Sequence, residues 1–269
     1  MAELDPDDLN LVDDVISIVN ALVPDDGGAR SKHWNDSARI LLAGLILCTL
    51  TLPESERNSV TARELLCLTY APLLHAVKAA ADRALVEASP EEKRQHFDRN
   101  GLAIKALLNR MITMGSRFGG IAAAIGTSFQ QTPQQERGSI FSTAAAHTDF
   151  LLLPLRATQR RSDFRLSTLR SDRPATIYMC LPVGRMERHA RRMRIIVQLT
   201  CTVLESFGSY PRDQLPILFL MEEFAVLGHM DFMERAAAYF PGFGVKLWGW
   251  CCKTSRNCSV TIPRAGRRS

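Results

Sequence analysis

The chain has 269 residues, 46% hydrophobic and 23% charged, enough for one large globular domain or two modest ones. Its net charge of +5 resides in residues 251–269, which hold five basic residues and no acid; the first 250 residues are balanced, which gives no support to a generally basic nucleic-acid binder and makes an independent helical DNA-binding protein the weakest reading. The best membrane candidate, Ile40–Leu52, has thirteen apolar, Thr or Cys residues, short of the roughly 20 a bilayer needs, and the acidic start with Glu3, Asp5, Asp7 and Asp8 excludes a secretory signal.

The first half of the chain reads as helix. Residues 9–23 place Leu11, Val15, Ile18, Val19 and Leu22 on one face, and Asp25-Asp26-Gly27-Gly28 ends the pattern. A second helix is expected from near Asn35, whose side chain would cap it; it buries the run from Ile40 and stops at Pro53. Another is expected over Ser59–Leu68, with Thr61 and Glu64 spaced as a capping box. Further helices are expected at 71–87, 90–99 and 101–115. Almost no strand-like alternation occurs from about 33 to 135, so this stretch reads as an all-helical unit. Its cations, Lys78, Arg83, Lys93, Arg94, Arg99, Lys105 and Arg110, read as solvated helix faces, with phosphate contacts as the alternative.

From about residue 140 the pattern becomes α/β. Thr176–Leu181 reads as a strand stopped by Pro182. Glu187–Gly208 reads as a long helix burying Met193, Ile196 and Val197. Its first turns carry Arg188, His189, Arg191, Arg192 and Arg194, which could face a neighbouring subunit, a phosphate or DNA, although a surface helix is the preferred reading. His189 has no acidic or cysteine partner in the local sequence and is assigned no catalytic or ligand role. The stretch Leu215–Gly228, LPILFLMEEFAVLG, reads as a strand buried on both faces that ends in Glu222 and Glu223. Strands at 176 and 215 joined by the helix would form a βαβ unit, with a further strand at 245–250.

Carboxylates at the carboxyl end of a buried strand lie where α/β folds bind ligands. In a nucleotide-hydrolysing domain, the first acid, here Glu222, would help hold Mg²⁺ on the phosphates, and the second, Glu223, would polarise the attacking water. The alternative is a helix starting after a strand, with acids in its first turn favoured by the dipole. Such hydrolysis also needs a G-x-x-x-x-G-K-[ST] loop, and the chain has none: Gly115–Gly120 lacks the Lys, and Gly242–Lys246 lacks the length and the Ser or Thr. Cys251, Cys252 and Cys258 do not have zinc-site spacing. Cys48, Cys67, Cys180 and Cys201 read as buried free thiols in a reducing compartment.

Glu222-Glu223-Phe224, Leu227-Gly228, a helix-like MDFMERAAAYF, Gly242-Phe243-Gly244 and an apolar GVKLWGW follow one another in the order of a known pattern. They resemble the Walker B region of the TraG/TraD-type coupling proteins of type IV secretion and conjugation. HWNDSARILLAGLIL, RGSIFSTAAAHTDFL, SDFRLSTLR and TIYMCLPVGRMERHARRMR resemble other blocks of that family in the same order, so that together the blocks cover most of residues 9–250.

The resemblance implies an α/β fold that is part of a P-loop (RecA-like) nucleotide-binding domain with a large all-α insertion. It divides the chain into 1–32, a helical part of that domain; 33–135, the insertion; 136–250, the part with Walker B; and 251–269, an aberrant basic tail. Intact relatives would be inner-membrane proteins facing the cytoplasm that use ATP and Mg²⁺ to drive DNA or protein substrates through a membrane channel. Their implied partners are homologous subunits in a hexameric ring, relaxase or relaxosome proteins, and DNA, which the insertion would help contact.

This chain departs from the family pattern in three ways. The family's glycine loop and membrane helices lie upstream of the segment matching residue 9, so the chain is expected to begin after both, to act as a cytoplasmic fragment and to bind no nucleotide alone. Glu222 replaces the usual Asp, which shifts a carboxylate that Mg²⁺ would need in near-ideal octahedral geometry. After Trp250 the family's Gln-Asp-Leu-x-Gln-Leu continuation is missing; codons compatible with Trp250–Gly266, read two nucleotides later, can encode it, so a frameshift near codon 250 is expected. Glu222 and Glu223 are accordingly expected to be a vestigial Walker B pair.

Overall fold

The computed structural model describes residues 4–24, 28–87, 99–151, 162–171, 175–210, 215–221, 227, 230, 233, 236 and 238–249. The chain divides into two compact units, Met1–Arg165 and Leu166–Ser269.

The first unit is helical: α1 (Leu11–Leu22), α2 (Ala29–Leu50), α3 (Ser59–Leu66), α4 (Ala71–Glu87), α5 (Arg99–Ile112), α6 (Ile121–Gln131) and α7 (Gln134–His147). Helix α1 buries Leu11, Val15, Ile18, Val19 and Leu22, the face read from the sequence. Helix α2 is the centre of the unit. Every residue from Leu41 to Leu50 is buried, and α1, α3, α6 and α7 all pack against the helix; a helix apolar on all sides needs such cover. Thr49, polar within this run, donates its hydroxyl to Leu45 O at 2.8 Å.

Two helix starts differ from expectation. Helix α2 begins after Gly28, whose carbonyl accepts from the Ser31 hydroxyl at 2.9 Å. Asn35 lies inside the helix, buried, with its Oδ1 accepting from His147 Nε2 at 3.1 Å, so it tethers α7 instead of capping α2. Helix α3 is capped by Asn58, whose Oδ1 accepts from Thr61 N at 3.0 Å. Thr61 is therefore the third helical residue, and the expected capping box with Glu64 does not form, because Asn58 satisfies the exposed amide first. Arg63 of α3 is buried and donates to Ala145 O and the Thr148 hydroxyl, both at 2.5 Å, fastening α3 to the end of α7. The borders expected at 32/33 and 135/136 fall within α2 and α7, both inside this unit. The helix expected at 90–99 lies largely outside the described residues.

Helices α5 and α6 form a close hairpin. A Cβ at Gly126 would stand 2.9 Å from both Leu108 O and Met111 Cβ, so the absence of a side chain sets the approach. Of the four cysteines expected to be buried, Cys48 and Cys201 are, whereas Cys67 and Cys180 are exposed. Cys67 follows the last turn of α3 and Cys180 lies in an exposed irregular segment; an apolar sequence neighbourhood did not decide which way either pointed.

The second unit contains α8 (Met186–Ser206), β1 (Ile217–Met221) and β2 (Val245–Gly249). The strands are parallel, pairing Ile217 with Val245 through Met221 with Gly249. Residues 175–182 have no regular secondary structure and pair with no strand among the described residues, and Tyr178 is 84% exposed. The strand expected at 176–181 is thus not a sheet member here: β propensity alone supplies no partner for its backbone.

Tyr70 gives this scaffold a measurable signature. Its hydroxyl donates to the Glu56 carboxylate, and burial, followed by that hydrogen bond, pushes the phenol up to about 12. The folded value lies above the ordinary value of about 10. The resulting stabilisation is therefore complete below pH 10 and is lost as pH rises towards 12. Tyr70→Phe should lower stability by about 1 kcal/mol at pH 7 and, in urea unfolding followed across pH, flatten the decline between pH 10 and 12.

Candidate functional site

The site indicated by the sequence is the carboxyl end of β1. Ile217, Phe219, Met221, Val245 and Leu247 share one face of the pair and pack with Val197, Cys201 and Leu204 of α8 and with Met230, Met233, Ala236 and Phe240. Phe219 and Phe240 stack with ring centroids 6.4 Å apart. The other face carries Leu218, Leu220 and Trp248, which are 55%, 64% and 58% exposed. The both-faces burial expected for β1 is therefore corrected to one face: among the described residues, cover comes from one side only, and alternation along the strand exposes the rest.

Glu222 and Glu223 follow Met221 directly in the chain but lie outside the described residues, as do Trp250 and the tail 251–269 with Cys251, Cys252 and Cys258. Among the described residues, no group of three or more His, Cys, Asp or Glu side chains gathers to hold a metal, and no helix is long and apolar enough to cross a membrane.

Sequence reasoning missed the anchor at the opposite end of the strands. Gly244 has φ +66°, and a Cβ there would sit 2.1 Å from Tyr210 Cδ2. Tyr210 N donates to Gly242 O at 3.1 Å and Ile217 N to Gly244 O at 2.9 Å, setting the start of the strand register. The Arg170 guanidinium lies 5.0 Å over the Tyr210 ring and donates to Phe243 O. The Gly-Phe-Gly turn was the visible signal; Arg170, 73 residues away from Phe243, gave none.

Helix α8 buries Val197, Cys201 and Leu204 together with the polar Gln198, Thr200 and His189, while Met193 and Ile196 are half-buried. His189 Nδ1 is buried without a hydrogen-bond partner, and no metal-ligand group forms around it among the described residues. Arg191, Arg192 and Arg194 are half-buried, and burial lowers the Arg192 value. Burial, then the nearby Glu205 charge, pushes the Cys201 thiol up to about 12, so it is an inert core group at neutral pH.

A family model described as "Type IV secretory system Conjugative DNA transfer" matches residues 2–254. The chain belongs to this family. It is similar to a conjugal transfer protein TraG of Escherichia coli, 26% identical over 251 residues, covering 89% of this chain and 35% of that protein. A protein VirD4 of Agrobacterium fabrum is 29% identical over 89 residues, 33% of this chain and 13% of that one. The chain thus spans about a third of the length of the TraG relative. Among solved structures, it resembles the bacterial conjugative coupling protein TrwBdeltaN70, with a TM-score of 0.56 and 12% identity over 88% of this chain and 45% of that one. That likeness is one of fold, and it agrees with the expected class, a partial α/β domain carrying a large helical insertion.

Gly244→Ala should disrupt the anchor, since a left-handed alanine costs about 1–2 kcal/mol before the Tyr210 collision is added. Amides of Val245–Gly249 should then exchange with solvent at least about 10-fold faster, whereas those of α2 should not change.

Proposed function

We propose that this chain is the helical-insertion and Walker B portion of a coupling protein of conjugative DNA transfer, and that it does not hydrolyse ATP alone. The observation that carries the reading is a parallel strand pair whose first member ends at Met221, immediately before two adjacent carboxylates. In an intact relative the equivalent acids would hold Mg²⁺ and orient water on ATP, while the ring moves DNA or protein through a membrane channel. Here Glu222 would be the Mg²⁺ ligand and Glu223 the water-polarising group, both vestigial. Without a glycine loop and its Lys, the two carboxylates provide no phosphate cradle, so the chain's own residues do not fit a bound Mg-ATP.

Within this reading, residues 33–135 act as the all-α insertion, 1–32 and 136–250 belong to the nucleotide domain, and 251–269 is an aberrant tail. A second reading follows from the self-contained helical unit: a non-enzymatic module that docks on homologous ring subunits or a relaxase.

Purified chain with Mg-ATP should release phosphate no faster than buffer, and Glu223→Gln should leave that background unchanged. Magnesium-dependent hydrolysis abolished by Glu223→Gln would overturn the inactive assignment. Pull-down against full-length homologous subunits and a relaxase tests the docking reading separately.

A further inference from the structure

The first turn of α8 holds a buried polar group that no part of the chain uses. The helix is 21 residues long and its N-terminus has no side-chain cap; Arg185, at the capping position, has no acceptor to offer the first amides. The turn Val183–Arg185 leads into the helix, with Arg185 N donating to Pro182 O at 2.8 Å. A Cβ at Gly184 would meet nothing within 4 Å, so open space adjoins this turn.

His189, in this first turn, is only 8% exposed, and its Nδ1 is buried without a hydrogen-bond partner. Such orphaned buried groups are rare in native proteins. Helical side chains lean towards the N-terminus, so the ring lies over the uncapped end. Arg185, His189 and Arg192 are spaced i, i+4 and i+7, a single stripe of the helix. Arg185 is exposed and Arg192 half-buried, and neither forms an ion pair among the described residues. Glu187, the single acid between Pro182 and Leu204, stands two positions before His189, about 200° around the helix and off this stripe.

We infer that the N-terminus of α8 binds a small phosphate-type oxyanion, held by the first-turn amides, His189 Nδ1, Arg185 and Arg192. The first amides of an α-helix lack intrahelical partners, and the helix dipole favours an anion beside them. His189 in its Nδ1–H tautomer adds a donor, and the two guanidinium groups add charge in a fork that matches phosphate oxygens. One bound anion accounts for the uncapped end, the orphaned imidazole nitrogen and the cations without acidic partners. It also gives a role to His189, for which the local sequence supplies none. The site uses neither Glu222 nor Glu223 and does not depend on the coupling-protein reading. Free phosphate and the terminal phosphate of an ester share the chemistry it recognises.

The test titrates the isotopically labelled full chain with sodium phosphate or glycerol phosphate, sodium chloride holding the ionic strength constant, and follows amide chemical shifts by NMR. Amides of 184–189 should shift saturably with phosphate and not with chloride alone. Arg185→Gln with Arg192→Gln should weaken phosphate binding at least about 10-fold, the loss expected when a charge-assisted contact is removed. His189→Leu should weaken binding as much, yet melt in chloride at or above the parent temperature, because it removes an unpaired polar group. A merely structural histidine would instead lower the melting temperature and leave the phosphate response intact; if His189→Leu does not fold, the arginine variant decides. Lys32→Gln with Lys78→Gln, exposed on α2 and α4 of the other unit, should leave affinity within about twofold. Equal affinity for the two probes assigns the site to terminal phosphates and preference for the inorganic ion assigns it to free phosphate; either supports the inference. No saturable shift at 184–189, parent affinity in the arginine variant, or equal loss in the lysine control would overturn it.

Discussion

The helical unit depends on one constraint: ten consecutive residues of α2, Leu41–Leu50, are buried, so the helix has no solvent face along that length. Burying a Leu or Ile side chain is worth about 1.5–3 kcal/mol, and six of the ten residues are Leu or Ile. Such a helix is stable only inside a ring of neighbours, which α1, α3, α6 and α7 supply. The polar contacts then fix orientation: Asn35 with His147, Arg63 with the end of α7, and the Asn58 cap on α3. The α5–α6 hairpin belongs to the same arrangement. A glycine at its crossing brings the two backbones together.

The second unit rests on different forces. Its two-stranded parallel pair is short, and what fixes the register is the turn before β2, where Tyr210 fills the space a Gly244 side chain would need and Arg170 holds the adjacent carbonyl. One sheet face is covered by α8 and the methionine-rich segment; the other carries Leu218, Leu220 and Trp248. The chain covers 45% of the solved coupling protein that it resembles in fold.

Periodicity made much of this legible. The buried face of α1, the spans of α4 and α8 and both strands of the sheet follow from apolar spacing, because burial itself imposes that spacing. Capping was less legible: Asn35 and Thr61 are plausible caps by residue type, yet Gly28 and Asn58, earlier in the chain, begin the helices. The segment 176–181 has strand composition without a partner among the described residues, and pairing is a property of two segments. Long-range anchors such as Arg170 with Phe243 leave no local pattern. At the candidate site, Glu222 and Glu223 were visible because they end an apolar run.

The helical unit is organised around α2. Amide hydrogen exchange, measured with and without Mg-ATP, tests this directly. Amides of Leu41–Leu50 should be the slowest in the chain, exchanging only by global unfolding, with the same profile in both conditions. Exchange of that segment as fast as the helix ends, or protection gained on adding Mg-ATP, would contradict it.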